Sequence, residues 1–177
     1  MRDINTLHPE VKAMALELKA RAQTECGLRI VITECLRTAE EQTALYAQGR
    51  MALTEVNRLR KIAGMPPITE LQNRRTVTKA KTVADSFHGY GLAFDIAVVS
   101  PDGKQIDWTD KSDWNEDGIN DWLEVGRLAT KMGIDWGGNW TSFPDTPHYQ
   151  CTFGHTIAEL KAMPGVIAGK TIKFEGE

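Results

Sequence analysis

"SFHGYGLAFDI" (residues 86–96) sets a histidine, two glycines and an aspartate into a run that otherwise has the composition of a buried strand. Two readings are open. One is a turn that enters a strand, with Asp95 a buried hydrogen-bonded group. The other is a pair of metal ligands, His88 and Asp95. There Gly89 and Gly91 let the backbone turn from the first ligand into the strand that carries the second. In either case "LAFDIAVV" at 92–99 is predicted to be a strand.

Working outward, residues 9–25 predict an amphipathic helix. Pro9 suits the first turn, Val11, Met14, Ala15, Leu18 and Ala22 share a face, and Gly27 can close the end. "LRIVITE" at 28–34 alternates and is β-branched, as a strand is. Thr38 to Glu41 form a capping box that opens a helix through Tyr46, with Gly49 at its end. Residues 51–80 are an excursion: "LTEVNRLRKIAG" is helical in pattern, "GMPPITE" breaks it, and "RRTVTKAK" is basic and polar. A helix follows at 120–132, then a short strand and turn in "IDWGGNW", a strand in "PHYQCTF" and a short helix in "TIAELKAM". The order is mixed and does not alternate strand and helix. The predicted class is therefore α+β, a mainly antiparallel sheet with flanking helices, in a single catalytic domain over 1–177.

Composition narrows the function. The chain has 177 residues, a net charge of −3, 41% hydrophobic and 25% charged residues, values ordinary for a soluble globular protein. No basic patch dominates, so nucleic acid is an unexpected partner. No apolar run reaches transmembrane length, and "MRDINTLHPEVKAMALELKARAQ" has no secretory apolar core, so no membrane partner and no signal peptide are expected. A monomer is expected. The three cysteines, Cys26, Cys35 and Cys151, have no CxxC spacing and read as buried thiols made in a reducing cytosol.

Of the four histidines, none belongs to an HExxH motif. His88 and Asp95 share one segment, and His148 stands three residues after Asp145 in "DTPHYQ" (145–150). A catalytic zinc takes three His or carboxylate ligands and leaves a fourth position for water, whose pKa it lowers. A separate carboxylate must then move protons, and Asp145 is the candidate.

Four segments, in order, carry a resemblance. "SFHGYGLAFD" (86–95) matches the S-x-H-x-x-G-x-A-x-D pattern of the D-Ala-D-Ala carboxypeptidase/L-alanyl-D-glutamate endopeptidase family of zinc metallopeptidases, and "DTPHYQ" its second motif. "RTAEEQTALYAQGR" (37–50) and "WGGNW" (136–140) resemble further segments of its L-alanyl-D-glutamate branch, which includes phage endolysins. The resemblance implies the fold of that family, shared with hedgehog domains. It implies zinc on His88, Asp95 and His148, and Asp145 as general acid/base. It implies Arg37 as a fork holding a substrate carboxylate or oxyanion, and Ser86 and Gln42 as substrate contacts. Asn139 stands where an acidic residue is common in the family.

A second metal site is read from the residues alone. "DWNEDGINDWLE" (113–124) fits the D-x-[DN]-x-[DN]-G-x5-E pattern of an EF-hand-like calcium loop. Asp113, Asn115, Asp117, the Ile119 carbonyl, Asp121 and Glu124 fall at the ligand positions. An Asp/Asn/Gly surface turn before a helix is the competing reading.

The expected function is therefore a zinc-dependent peptidoglycan hydrolase cutting the L-Ala–D-Glu bond of the stem peptide. The expected setting is a phage or prophage endolysin made in the bacterial cytoplasm, released through a holin, and held back until external calcium binds. Two alternatives are a D,D-carboxypeptidase or dipeptidase of the same family and a non-enzymatic zinc-containing binding protein.

Overall fold

The computed structural model describes residues 3–108 and 111–174. Helix α1 (Pro9–Glu25) begins with proline at its first position, where the missing N–H costs nothing. Its buried residues are Val11, Ala15, Leu18 and Ala22, and Met14, the fifth residue of the predicted face, is half-buried against the core. Strand β1 (Arg29–Glu34) follows, then α2 (Ala39–Ala47), whose capping box is formed by Thr38 and Glu41. The excursion folds into α3 (Leu53–Ile62), a single turn α4 (Glu70–Asn73) and an irregular strap that returns to the core. A short 3-10 turn over Phe87–Tyr90 delivers the chain into β2 (Ala93–Val99). Then come β3 (Ile106–Asp107), α5 (Asp121–Lys131), β4 (Asp135–Trp136), β5 (His148–Gln150) and α6 (Ile157–Ala162). The predicted elements are present; β3 is an addition too short to show a period. No helix among the described residues is long and apolar enough to cross a membrane.

The sheet is antiparallel throughout, in the order β1-β2-β5-β4, with β3 also pairing β2. Alternation along the strands divides its faces. Phe94, Ile96 and Tyr149 are fully buried in the core with Leu18 of α1 and Val125 of α5. The Phe94 and Tyr149 rings stack at 5.6 Å. Asp95, His148 and Gln150 alternate with them and face the other way, toward a cleft of about 600 Å³ whose walls include the strap and the segment 140–147.

The "WGGNW" turn is explained by one indole. Trp136 is 5% exposed, and its Nε1 donates to the Thr146 carbonyl at 2.9 Å, which holds the approach to β5. A Cβ built at Gly126 on α5 would lie 2.4 Å from this ring, and one at Gly138 would lie 2.2 Å from it. Both positions need the absence of a side chain.

A glycine-to-alanine exchange inside a helix ordinarily stabilises by about 1 kcal/mol. At Gly126 the sign should invert, because the indole is held and cannot retreat from the new methyl. Gly126→Ala is expected to cost about 1–3 kcal/mol, as overpacking of a core does, measured by urea denaturation. An unchanged or raised midpoint would show that Trp136 is free to move.

Candidate metal centre and active site

His88 is placed by its 3-10 turn, which ends at Gly91 with φ of +71°. Gly89 lets the turn approach Val83, whose carbonyl oxygen lies 2.0 Å from where a Cβ would be. The turn therefore requires the two glycines of the motif for different reasons, one for its handedness and one for space. Asp95 and His148 sit directly opposite one another in the β2–β5 ladder. On the far side of β2 the register slips by one residue between Ile32 and Glu34, a bulge that brings Glu34 opposite Asp95. Glu34, Asp95 and His148 thus form one row across three strands.

His88 Nε2, His148 Nδ1 and Asp95 Oδ1 make a triangle. Its edges are 3.1 Å from His88 to Asp95, 3.2 Å from His88 to His148 and 3.3 Å from His148 to Asp95. Tetrahedral zinc with bonds of about 2.0–2.1 Å has donor-to-donor edges of about 3.3–3.4 Å, so the triangle is one face of such a tetrahedron. His88 Nδ1 faces the Cys35 carbonyl at 2.8 Å. A carbonyl only accepts, so the ring proton sits on Nδ1 and Nε2 turns a lone pair into the triangle. Electron pairs converging at this distance are unfavourable without a cation. The donor set and its spacing fit zinc. Among the described residues, this is the group of His, Cys, Asp or Glu side chains gathered closely enough to hold a metal.

Without a metal, protons on the histidines take the place of the cation. Burial would raise the Asp95 carboxyl, but the charges of His88 and His148 and their hydrogen bonds hold it well below the usual range. Burial would lower His148, and its hydrogen bond and charge interaction with Asp95 raise it on balance. Asp145 lines the same cleft, and its carboxyl is raised by burial first and by the Asp95 charge second. Its backbone is fixed at both ends: its N–H donates to the Gly137 carbonyl, and its carbonyl accepts from His148 N–H.

Arg37 also lines the cleft although only 7% of it is exposed. Its Nε donates to Glu34 Oε1 at 2.6 Å and its Nη1 to Gln42 Oε1 at 2.9 Å. Burial works against its charge, and Glu34 outweighs burial and keeps it protonated. Ser86 lies on the cleft wall. Gln42 departs from the expectation of a substrate contact. It is fully buried and does not line the cleft, and its Nε2 is spent on the Ala80 carbonyl at 2.5 Å. A primary amide with both ends occupied in the interior orients Arg37 and holds the strap.

Other residues at the site had weak signals in the sequence. Trp140, which composition alone leaves between core and rim, packs on the His148 ring at 5.0 Å. Val77 to Ala80 line the cleft, and Lys79 donates to Ser142 and lies 4.7 Å from the Phe143 ring centre. The excursion therefore belongs to the cleft wall. Asn139 is exposed and donates to the Thr130 hydroxyl at 3.3 Å, tying the turn to α5. Gln150, two residues after His148 and so on its face, was detectable by strand alternation.

The loop at 113–124 is folded by its own side chains. Asp113 accepts from the Asp117 and Gly118 N–H groups, Asp117 accepts from Ile119 N–H, and Asn115 Nδ2 donates to Glu124 Oε2 at 3.0 Å. Asp121 differs from the expected loop ligand. It is fully buried, and both its carboxylate oxygens accept from Trp114 N–H at 3.1 Å. Asn120, the helix N-cap, accepts from Leu123 N–H.

Comparison with known proteins follows the same lines. A family model described as D-alanyl-D-alanine carboxypeptidase matches residues 79–151, the span of His88, Asp95, Asp145 and His148. The peptidoglycan L-alanyl-D-glutamate endopeptidase CwlK of Bacillus subtilis (strain 168) is 39% identical over 144 residues, covering 81% of this chain and 72% of CwlK. The chain belongs to this metallopeptidase family. Its peptidases are zinc-dependent. The L-alanyl-D-glutamate peptidase of Listeria phage A118 is 25% identical over 86% of this chain and 41% of its own length. A crystal structure of the Serratia marcescens L-Ala D-Glu endopeptidase ChiX aligns at 22% identity with a TM-score of 0.43, over 86% of this chain and 91% of that one.

The position of Gln42 predicts coupling to Arg37. Removing a hydrogen bond to a charged group costs about 1.5–3 kcal/mol, so Gln42→Leu should lower kcat/KM by about tenfold to a hundredfold. Combined with Arg37→Lys, which loses the fork, the loss should be well below the sum of the two. Additive losses in this double-mutant cycle would separate Gln42 from Arg37.

Proposed function

We propose that the protein is a zinc-dependent peptidoglycan hydrolase that cleaves the L-Ala–D-Glu bond of the stem peptide. The observation that carries this reading is the converging His88–Asp95–His148 triangle beside Asp145, in a chain 39% identical to an L-alanyl-D-glutamate endopeptidase. His88, Asp95 and His148 would hold the metal. Zinc bound there supplies a Lewis acid that polarises a carbonyl and lowers the pKa of water. Asp145, made more basic by burial, accepts the proton of the attacking water on its carboxylate. It then delivers that proton to the departing D-Glu nitrogen. Arg37 is pre-aimed by Glu34 and Gln42. It offers the rest of its guanidinium to a substrate carboxylate or to the oxygen that gains charge. Ser86 contacts the peptide from the cleft wall.

The phage relative supports an endolysin role; release to the wall through a holin is a further part of the proposal. A single catalytic unit acting as a monomer completes the reading. The family description of D-alanyl-D-alanine carboxypeptidase keeps the cut at a terminal D-Ala as the second reading.

Purified protein incubated with peptidoglycan should generate new D-Glu amino termini, read by mass spectrometry. A chelator should abolish them and Zn²⁺ restore them. Asp145→Asn should lose about 10²- to 10⁴-fold in rate while still binding zinc, as expected for loss of a general acid/base. Free D-Ala in place of D-Glu termini would move the activity to the carboxypeptidase reaction. No product from a zinc-loaded protein would leave a binding protein.

Calcium in the 113–124 loop belongs to the same proposal. What supports it is the match to the loop pattern and the state of Glu124. Its carboxyl is raised by burial and by the charges of Asp117, Asp121 and Asp113, a field that a hard cation relieves. Ca²⁺ should raise the thermal midpoint of wild type and have a smaller effect on Glu124→Gln. A midpoint indifferent to millimolar Ca²⁺ would return the loop to a surface turn.

A further inference from the structure

The two histidines enter the triangle by different nitrogens. His88 offers Nε2 and His148 offers Nδ1. For His148 this requires the ring proton on Nε2, which lies 2.9 Å from Gln150 Oε1. The Gln150 contact alone does not settle the matter, because a primary amide can rotate and present its NH₂ instead. That would make Nε2 an acceptor and put the proton on Nδ1, inside the triangle. The next bond decides. Gln150 Nε2 donates to Asp135 Oδ2 at 2.7 Å, and a carboxylate only accepts. The amide nitrogen must face Asp135 and its oxygen must face His148, so the neutral His148 ring keeps its proton on Nε2 and turns the lone pair of Nδ1 to the triangle.

We infer that Asp135 and Gln150 are positioning residues that set the tautomer of His148, and so the affinity of the centre for its metal. The inference rests on the zinc reading above. Strand geometry supplies the relay. His148 and Gln150 lie on one face of β5, and Asp135 stands directly opposite Gln150 in the β4–β5 ladder. Asp135 is exposed and lies outside the cleft wall, so it touches neither substrate nor metal donors. Its influence runs through the polarity of one amide. The same end would be reached with both partners reversed. A glutamate at 150 accepts from His148 Nε2–H, provided that position 135 then donates to it.

The test is the zinc dissociation constant of metal-depleted protein, measured by competition with a chromogenic chelator, beside the thermal midpoint of the metal-free form. Wild type should bind zinc and His88→Ala should not; failure there defeats the metal reading itself before the relay is tried. Gln150→Met should weaken zinc binding about 10- to 100-fold, the usual cost of losing an outer-shell partner. Asp135→Asn, whose amide no longer forces one orientation on Gln150, should weaken it by a smaller factor with an unchanged metal-free midpoint. Gln150→Glu combined with Asp135→Asn should restore affinity well above that of Gln150→Met. A merely structural role would not give this recovery. Wild-type affinity in Asp135→Asn, or a double variant no tighter than Gln150→Met, would overturn the inference. Because Asp135 is exposed, its variant decides the matter even where Gln150→Met does not fold.

Discussion

The register of β2 between β1 and β5 is the constraint on which the site depends. Asp95 pairs with His148 on one side and, through the bulge after Ile32, with Glu34 on the other. That row carries two donors of the triangle and the carboxylate that orients Arg37. Side chains alternate along a strand, so a slip of one residue would send Asp95 into the core and Phe94 into the cleft. The Phe94–Tyr149 stack on the opposite face resists such a slip, because burying those two rings and exposing the row are one choice of register. The core therefore holds together acceptors that would otherwise separate.

The outer contacts of the centre share a logic. The two histidines and the arginine fork that face the cleft are each held from behind by a group that fixes their hydrogen-bonding role. The Cys35 carbonyl does this for His88, Gln150 for His148, and Glu34 with Gln42 for Arg37. These supports come from β1 and the residue that follows it, from β5 and from α2, parts that the hydrophobic core already fixes. The turn bearing Asp145 is held in the same way, with the Trp136 indole donating to Thr146 and Gly137 accepting from Asp145 N–H. The excursion adds the strap wall, where Gln42 grips it from beneath at Ala80 and Lys79 reaches across to Ser142.

Much of this was visible in the chain before folding. Pro9, the Thr38–Glu41 box and the apolar spacing of α1 define local elements through local chemistry, and the helices appear where those signals stand. His88, Asp95, Asp145 and His148 were marked by residue type and by the motifs around them. The buried place of Gln42 behind Arg37 was not visible there, because nothing local distinguishes an amide that faces substrate from one that supports an arginine from the interior.

What the sequence determined by itself was the set of elements, the α+β class and the identity of the metal-donor candidates. Each rests on short-range periodicity or on the chemistry of a few neighbouring residues. What only the tertiary structure decided was how residues far apart in the chain meet. The bulge that brings Glu34 opposite Asp95, the cross-strand pair of Asp135 and Gln150, and the Cys35 carbonyl behind His88 all depend on strand register. Register is a property of the whole sheet and its core, chosen by burying the most apolar area at once, and no single segment encodes it.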